Sequence, residues 1–190
     1  MKKLTQATAF ALTTAMSSLA LAQTVPELID STGRSLGRYS GDSVLVLYGG
    51  QVVRIYTDAH WDYSTGRPAS SGLTWKYVPI YYTSLDCTGQ SYIGASLFGP
   101  TPQGATTPPA VTPYSSPAYG SHFLFAPFRI GDAWTAYISA ENPTFQQVSI
   151  QSELQYGGSC AQKSYPGLWV TPVITQVGLD IYGVPPFYVR

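Results

Sequence analysis

The chain has 190 residues, ten of them Lys or Arg and ten Asp or Glu, for a formal net charge of zero. With only 11% charged residues it presents neither the basic field that holds nucleic acid nor an acidic tail, so no nucleic-acid partner is expected. At 44% hydrophobic and 14% aromatic it has the material for a core and is no solvated, disordered chain.

Residues 1–22 read as a signal peptide. Lys2 and Lys3 give a positive start, residues 7–15 and 19–21 a short apolar stretch, and Ala20, Leu21 and Ala22 the small-residue pattern that places cleavage before Gln23. The competing reading is an amphipathic helix that belongs to the fold. No Cys follows the cleavage point to carry a lipid anchor, and no later apolar run reaches the ~18 residues of a membrane helix. The expected location is secreted or periplasmic, with no transmembrane helix in the mature chain. Cleavage leaves residues 23–190, with eight basic residues against ten acidic ones and a formal charge of −2. That is one domain of ordinary size.

Residues 25–30 and 35–39 flank a polar, Gly-containing turn and predict a first hairpin. Residues 43–48 and 51–57 are β-branched and aromatic runs separated only by Gly49 and Gly50, which predicts a tight second hairpin. Val53 and Ile55 should face one way, while 44–48 is apolar throughout and reads as covered on both faces. Residues 58–72 read as a loop by composition. Residues 74–83 follow as a strand that Pro79 confines to an edge, a bulge or a break. A turn at 84–89 carries Cys87, and a short strand at 91–94 comes next.

From 99 to 120 the chain is Pro-rich and uncharged, a long loop or extended spacer. Strand character returns at 121–129, 133–140 and 145–154. In the last, Gln147, Ser149 and Gln151 alternate with Val148 and Ile150, the pattern of a strand with one wet face. A turn with Gly157 and Gly158 leads to Cys160, residues 168–177 form a strand around Pro172, and Pro185 and Pro186 lie near the end. No window outside the signal has helical apolar spacing. The expected fold is all-β, an antiparallel sandwich or partly open barrel. A division at the Pro-rich stretch into halves 23–98 and 121–190 would leave each too small for its own core, so a single domain is favoured.

Cys87 and Cys160 are 73 residues apart. In an exported chain they are expected to pair, the alternative being two free thiols. Loop closure over that distance contributes at most about 4.4 kcal/mol.

Motifs for catalysis are missing: there is no Gly-x-Ser-x-Gly, His-Glu-x-x-His, phosphate loop or Cys-x-x-Cys. In an extended stretch Asp58, His60 and Asp62 would share one side and suit a divalent cation, but polar loops commonly carry such residues, and no metal site is set on them. His122, among Phe123, Phe125 and Phe128, reads as a half-buried residue at the start of a strand. A glycosidase-type pair would draw on Asp132, Glu141, Glu153 and Asp180, and spacing selects none of them. Neither a catalytic set nor a cofactor is expected. Fifteen Tyr and four Trp favour binding through flat amphipathic rings. Trp61, Tyr63, Tyr114 and Tyr119 are the loop aromatics in which to seek it, whereas Trp75, Trp134 and Trp169 read as core.

Three stretches carry a resemblance: Asp30, Gly33 and Gly37 in an Asp-x-x-Gly-x-x-x-Gly opening; Tyr82, Ser84, Asp86, Cys87, Gly89 and Tyr92 in a Tyr-x-Ser-x-Asp-Cys-x-Gly-x-x-Tyr centre; and Pro185, Pro186 and Phe187 in a Pro-Pro-Phe close. In these the chain resembles a set of uncharacterised exported bacterial β-rich proteins. The resemblance implies a surface or adhesive role and supplies no activity or functional residue. The expectation is an exported, non-catalytic binding or surface module for carbohydrate or a protein partner. A secreted glycosidase-like hydrolase and a small outer-membrane β-barrel are the alternatives.

Overall fold

The computed structural model describes residues 25–62, 67–95 and 123–190, except for the side chains of 60–62 and 67–71. The expected signal at 1–22 and the Pro-rich stretch at 99–120 lie outside those residues. Among the described residues the chain forms antiparallel strands and a single 3-10 turn, arranged as sheets in a sandwich-like single domain.

The N-terminal lobe begins with β1 (Glu27–Ile29) and β2 (Ser35–Arg38), the expected first hairpin. β3 (Ser43–Tyr48) and β4 (Gln51–Asp62) follow, with Tyr48 paired to Gln51. Gly49 and Gly50 between them have φ of 57° and 80°, the two consecutive positive values that a tight hairpin turn demands. Val53 and Ile55 point inward as expected and are fully buried. β3 departs from expectation: Val44 and Val46 face the core, but Leu47 is 68% exposed. The hairpin is an outer layer, so the sheet beneath it covers one face only.

The expected loop at 58–72 is a strand pair instead. β4 runs on to Asp62 and β5 (Arg67–Trp75) returns beside it, Asp58 opposite Thr74 and Ala59 opposite Leu73. Ladder bonds satisfy the backbone, and exposed Asp58 and Ala59 reflect a ribbon that reaches beyond the core, not an absence of regular structure. Pro79 breaks the next run as expected, since β6 (Ile80–Tyr82) starts just after it.

β7 (Ser91–Gly94) pairs with β6, and β8 (Phe125–Ile130) with β9 (Ala133–Ser139). β10 (Gln146–Leu154) leaves Gln147, Ser149 and Gln151 exposed, as their alternation predicts. β11 (Cys160–Gly178) is 19 residues long and begins well before the expected 168. It is followed by a 3-10 turn at Leu179–Ile181 and β12 (Tyr188–Val189).

Three apolar clusters fill this frame. β10 pairs with β11 and β6, β6 with β7, and β7 with β11, so four strands close into a ring. One face of the ring gathers Tyr81, Ile150, Leu168 and Val170. Alternate residues turn the other way: Ile80, Tyr82 and Ile93 pack with Leu124, Ala126 and Phe128 leading into and along β8. The opposite face of β8–β9, with Phe125, Trp134 and Ile138, meets Leu28, Val44, Val53, Ile55, Trp75 and Phe187 of the N-terminal lobe. The β8–β9 hairpin is therefore the middle layer, apolar on both sides. Pairing of β6 and β7 with β10 and β11 joins the two sequence halves, and pairing of β1 with β12 joins the two ends.

Cys87 and Cys160 form a disulfide, as expected. It ties the 84–89 turn to the start of β11. The turn is also held by Ser152, whose Oγ donates to the Ser84 carbonyl at 2.7 Å and accepts the Cys87 N–H at 3.2 Å. No helix among the described residues is long and apolar enough to cross a membrane.

Candidate functional site

The β8–β9 turn and the segment after the 3-10 turn lie close enough to enclose a cleft of about 320 Å³. Arg129, Asp132 and Trp134 form one wall, Asp180 and Val184 to Pro186 the other, and Thr74 of β5 contributes from the lobe between. Two carboxylates therefore border one concavity, together with a guanidinium, a hydroxyl and apolar ring surface.

The first wall is built around Arg129. Its Nε donates to the Gly131 carbonyl at 2.8 Å, one terminal nitrogen to the Tyr156 hydroxyl at 2.8 Å, and the other to Asp132 Oδ1 at 3.0 Å. The Tyr156 hydroxyl, more than the Asp132 carboxylate, holds the guanidinium above its ordinary value. Asp132 stands fully in solvent, so its carboxylate is held by one arginine and is otherwise free to meet a ligand.

The second wall is positioned from the far end of the chain. Arg34 donates to the backbone carbonyls of Asp180 and Ile181 at 3.2 and 3.4 Å, which fixes the turn that carries the Asp180 side chain. Arg34 is itself held by buried Asp30, with Nε 3.4 Å from Oδ2. Oδ1 of Asp30 accepts the Thr32 hydroxyl at 2.6 Å and the N–H groups of Thr32 and Arg34 at 2.9 and 3.0 Å. Its Oδ2 accepts the Val184 N–H at 3.4 Å. Burial pushes this carboxyl up, but the bonds from Thr32, Arg34 and Val184 outweigh it and bring the pKa down to about 2.

At Pro186 the cleft is closed by contact with β5. Leu73 and Phe187 exchange two backbone bonds of 2.8 and 2.7 Å. The approach requires Gly72, whose φ is 73° and where a Cβ would stand 2.6 Å from the Phe187 carbonyl oxygen. Asp30 of the Asp-x-x-Gly opening thus holds Val184, the residue just before the Pro-Pro-Phe close, and both stretches support the cleft.

Of the four acids weighed for a catalytic pair, only Asp132 and Asp180 are brought to this cleft. Glu141 Oε1 accepts from Gln51 at 2.8 Å, and Glu153 Oε2 accepts the Tyr165 hydroxyl at 3.0 Å; both are occupied elsewhere. Burial, followed by the neighbouring Glu153 charge, pushes the Tyr81 phenol up from its usual range. Trp75 and Trp134 are core residues as expected, though an edge of Trp134 reaches the cleft. Trp169 is not: Leu168 and Val170 take the inward positions on β11, and alternation leaves Trp169 half-exposed.

The Asp58, His60, Asp62 stretch runs within β4, whose pairing with β5 shifts register between Ala59 and Trp61. The side chains of His60, Trp61 and Asp62 lie outside the described residues, as do Tyr63, Tyr114, Tyr119 and His122. Sequence reasoning had Asp132 and Asp180 in hand but no reason to join them. Their meeting depends on Arg34 and on the C-terminal return, and no local pattern announces either. No protein-family model, no curated protein and no solved structure matches this chain.

Proposed function

We propose that the chain is an exported, non-catalytic binding module that holds a carbohydrate in the cleft between the β8–β9 turn and residues 180–186. The observation that carries this reading is the lining itself. Asp132 and Asp180 offer partners for sugar hydroxyls, while Pro185, Pro186 and the edge of Trp134 offer apolar surface against a ring. A volume of about 320 Å³ is at the small end of ligand clefts, suited to a short glycan end.

Export is supported by the signal-like start, by the motif likeness to exported β-rich proteins and by a disulfide that persists in an oxidising compartment. Gln147, Ser149 and Gln151 on the outer face of β10 favour a surface bathed in water over the apolar outer band of a membrane barrel.

Calorimetric titration with a panel of neutral and charged oligosaccharides tests the reading. At least one should bind, and Asp180→Ala should weaken it by about tenfold, the loss of one charge-assisted hydrogen bond, with an unchanged melting temperature. A panel without any heat of binding overturns it. The shared cleft of Asp132 and Asp180 also favours a second reading, a glycosidase-like hydrolase. Release of the aryl group from nitrophenyl glycosides, abolished by Asp180→Asn, would establish that reading in place of the first.

A further inference from the structure

The charges that border the cleft do not balance. Arg129 supplies one positive group, Asp132 and Asp180 two negative ones. The guanidinium is already shared among the Gly131 carbonyl, the Tyr156 hydroxyl and Asp132, so Asp132 is the acid it neutralises. Asp180 belongs to no ion pair among the described residues, and its exposed carboxylate leaves the cleft with one net negative charge.

Neighbouring groups do not restore the balance. Asp30 and Arg34, behind the second wall, pair with each other. Asp58, across the ladder from Thr74, and Lys76, two residues beyond Thr74, are of opposite sign. Among the charged residues whose side chains are not described, Asp62 and Arg67 stand opposite each other in the β4–β5 ladder, and Lys2 and Lys3 lie in the expected signal. Residues 96–122 contain neither Lys nor Arg, so that stretch brings no permanent cation.

An ionised carboxylate accepts hydrogen bonds and donates none, so the groups that suit Asp180 are donors, and a charged donor suits it best. A sugar hydroxyl offers one neutral donor and an N-acetyl group one uncharged N–H, whereas a free amino group in mildly acid solution is an ammonium with three. A uronic acid brings a further carboxylate and meets repulsion. We propose that the cleft selects glycans with free amino groups, the sugar ammonium serving as counter-ion to Asp180 while its ring lies against Pro185 and Pro186. This rests on the carbohydrate reading above and names the class of sugar.

Calorimetry at about pH 6, where Asp carboxylates are ionised and most sugar amines protonated, compares a glucosamine tetramer with its fully N-acetylated counterpart and with a galacturonate tetramer. The glucosamine tetramer should bind about tenfold more tightly than the N-acetylated one, the difference between a charged and a neutral hydrogen bond, and the galacturonate should bind least. Asp180→Asn, which keeps the shape and removes the charge, should bring the ratio of the first two affinities close to one. Asp86→Asn, the same change on the exposed 84–89 turn, should leave that ratio alone, which separates the cleft from the overall charge of the chain. A ratio near one in the wild type, a ratio that survives Asp180→Asn, one that Asp86→Asn lowers equally, or tightest binding by galacturonate would each overturn the inference and leave the carbohydrate reading standing. Binding only of glycans that lack amino groups has the same meaning. If no glycan binds at all, the carbohydrate reading falls and the inference falls with it.

Discussion

Asp30 couples three parts of the molecule through one carboxylate: its own turn, Arg34 and the C-terminal Val184. Because its folded pKa is about 2, below the ordinary value of 3.8, the folded state binds this proton less readily than the unfolded chain does. The stabilisation is complete above about pH 4 and is lost as pH falls toward 2. Urea denaturation measured from pH 5 to 2 should show the wild type losing stability over that interval. Asp30→Asn should be less stable at pH 5 by roughly 1.5–3 kcal/mol, the range for a hydrogen bond to a charged group, and should have a flatter acid limb. Equal slopes in the two proteins would place the acid-sensitive group elsewhere.

At the scale of the element, β11 pairs with β7, β9 and β10 and also anchors the 84–89 turn. Reduction of the Cys87–Cys160 bridge releases a 73-residue constraint and should lower stability by about 2–4 kcal/mol, the typical contribution of a disulfide. The reduced chain should nonetheless keep its β-sheet circular dichroism at 25 °C, because Ser152 still holds the turn through Ser84 and Cys87. Thermal melts with and without reductant check both statements, and loss of the β signal on reduction would contradict the second. Most elements were legible where the side-chain code is local. Gly49 and Gly50 marked one hairpin, Pro79 a break, and the Gln147, Ser149, Gln151 alternation a wet face. Residues 58–72 were not, because the composition of an exposed ribbon resembles that of a loop, and only the partner across the ladder distinguishes them. Leu45 and Leu47 suggested a doubly covered strand because apolar side chains record no neighbour by themselves. The cleft was the least legible part: Asp132 and Asp180 are joined by contacts that begin at Asp30.

Across the whole molecule, the deepest N-terminal cluster is completed by the last few residues. Phe187 is fully buried, with its ring 4.5 Å from that of Trp75, and it lies beside Leu28, Val44 and Ile55 in one core. Phe187→Ala should cost about 3–5 kcal/mol, a large part of the stability of a domain this size. A drop in the urea midpoint without a change in slope would confirm it, while a loss below about 1 kcal/mol would show that the cluster closes without the ring.

The exchange of backbone bonds between Glu27 and Arg190 also has a bearing on timing. A ribosome delivers the chain from its N-terminus, so β1 must wait, with one edge unpaired and Leu28 exposed, until residues 187–190 arrive. The N-terminal lobe can therefore be completed only after residues 187–190 have emerged. Until then its apolar segments depend on whatever shields them from one another and from other chains.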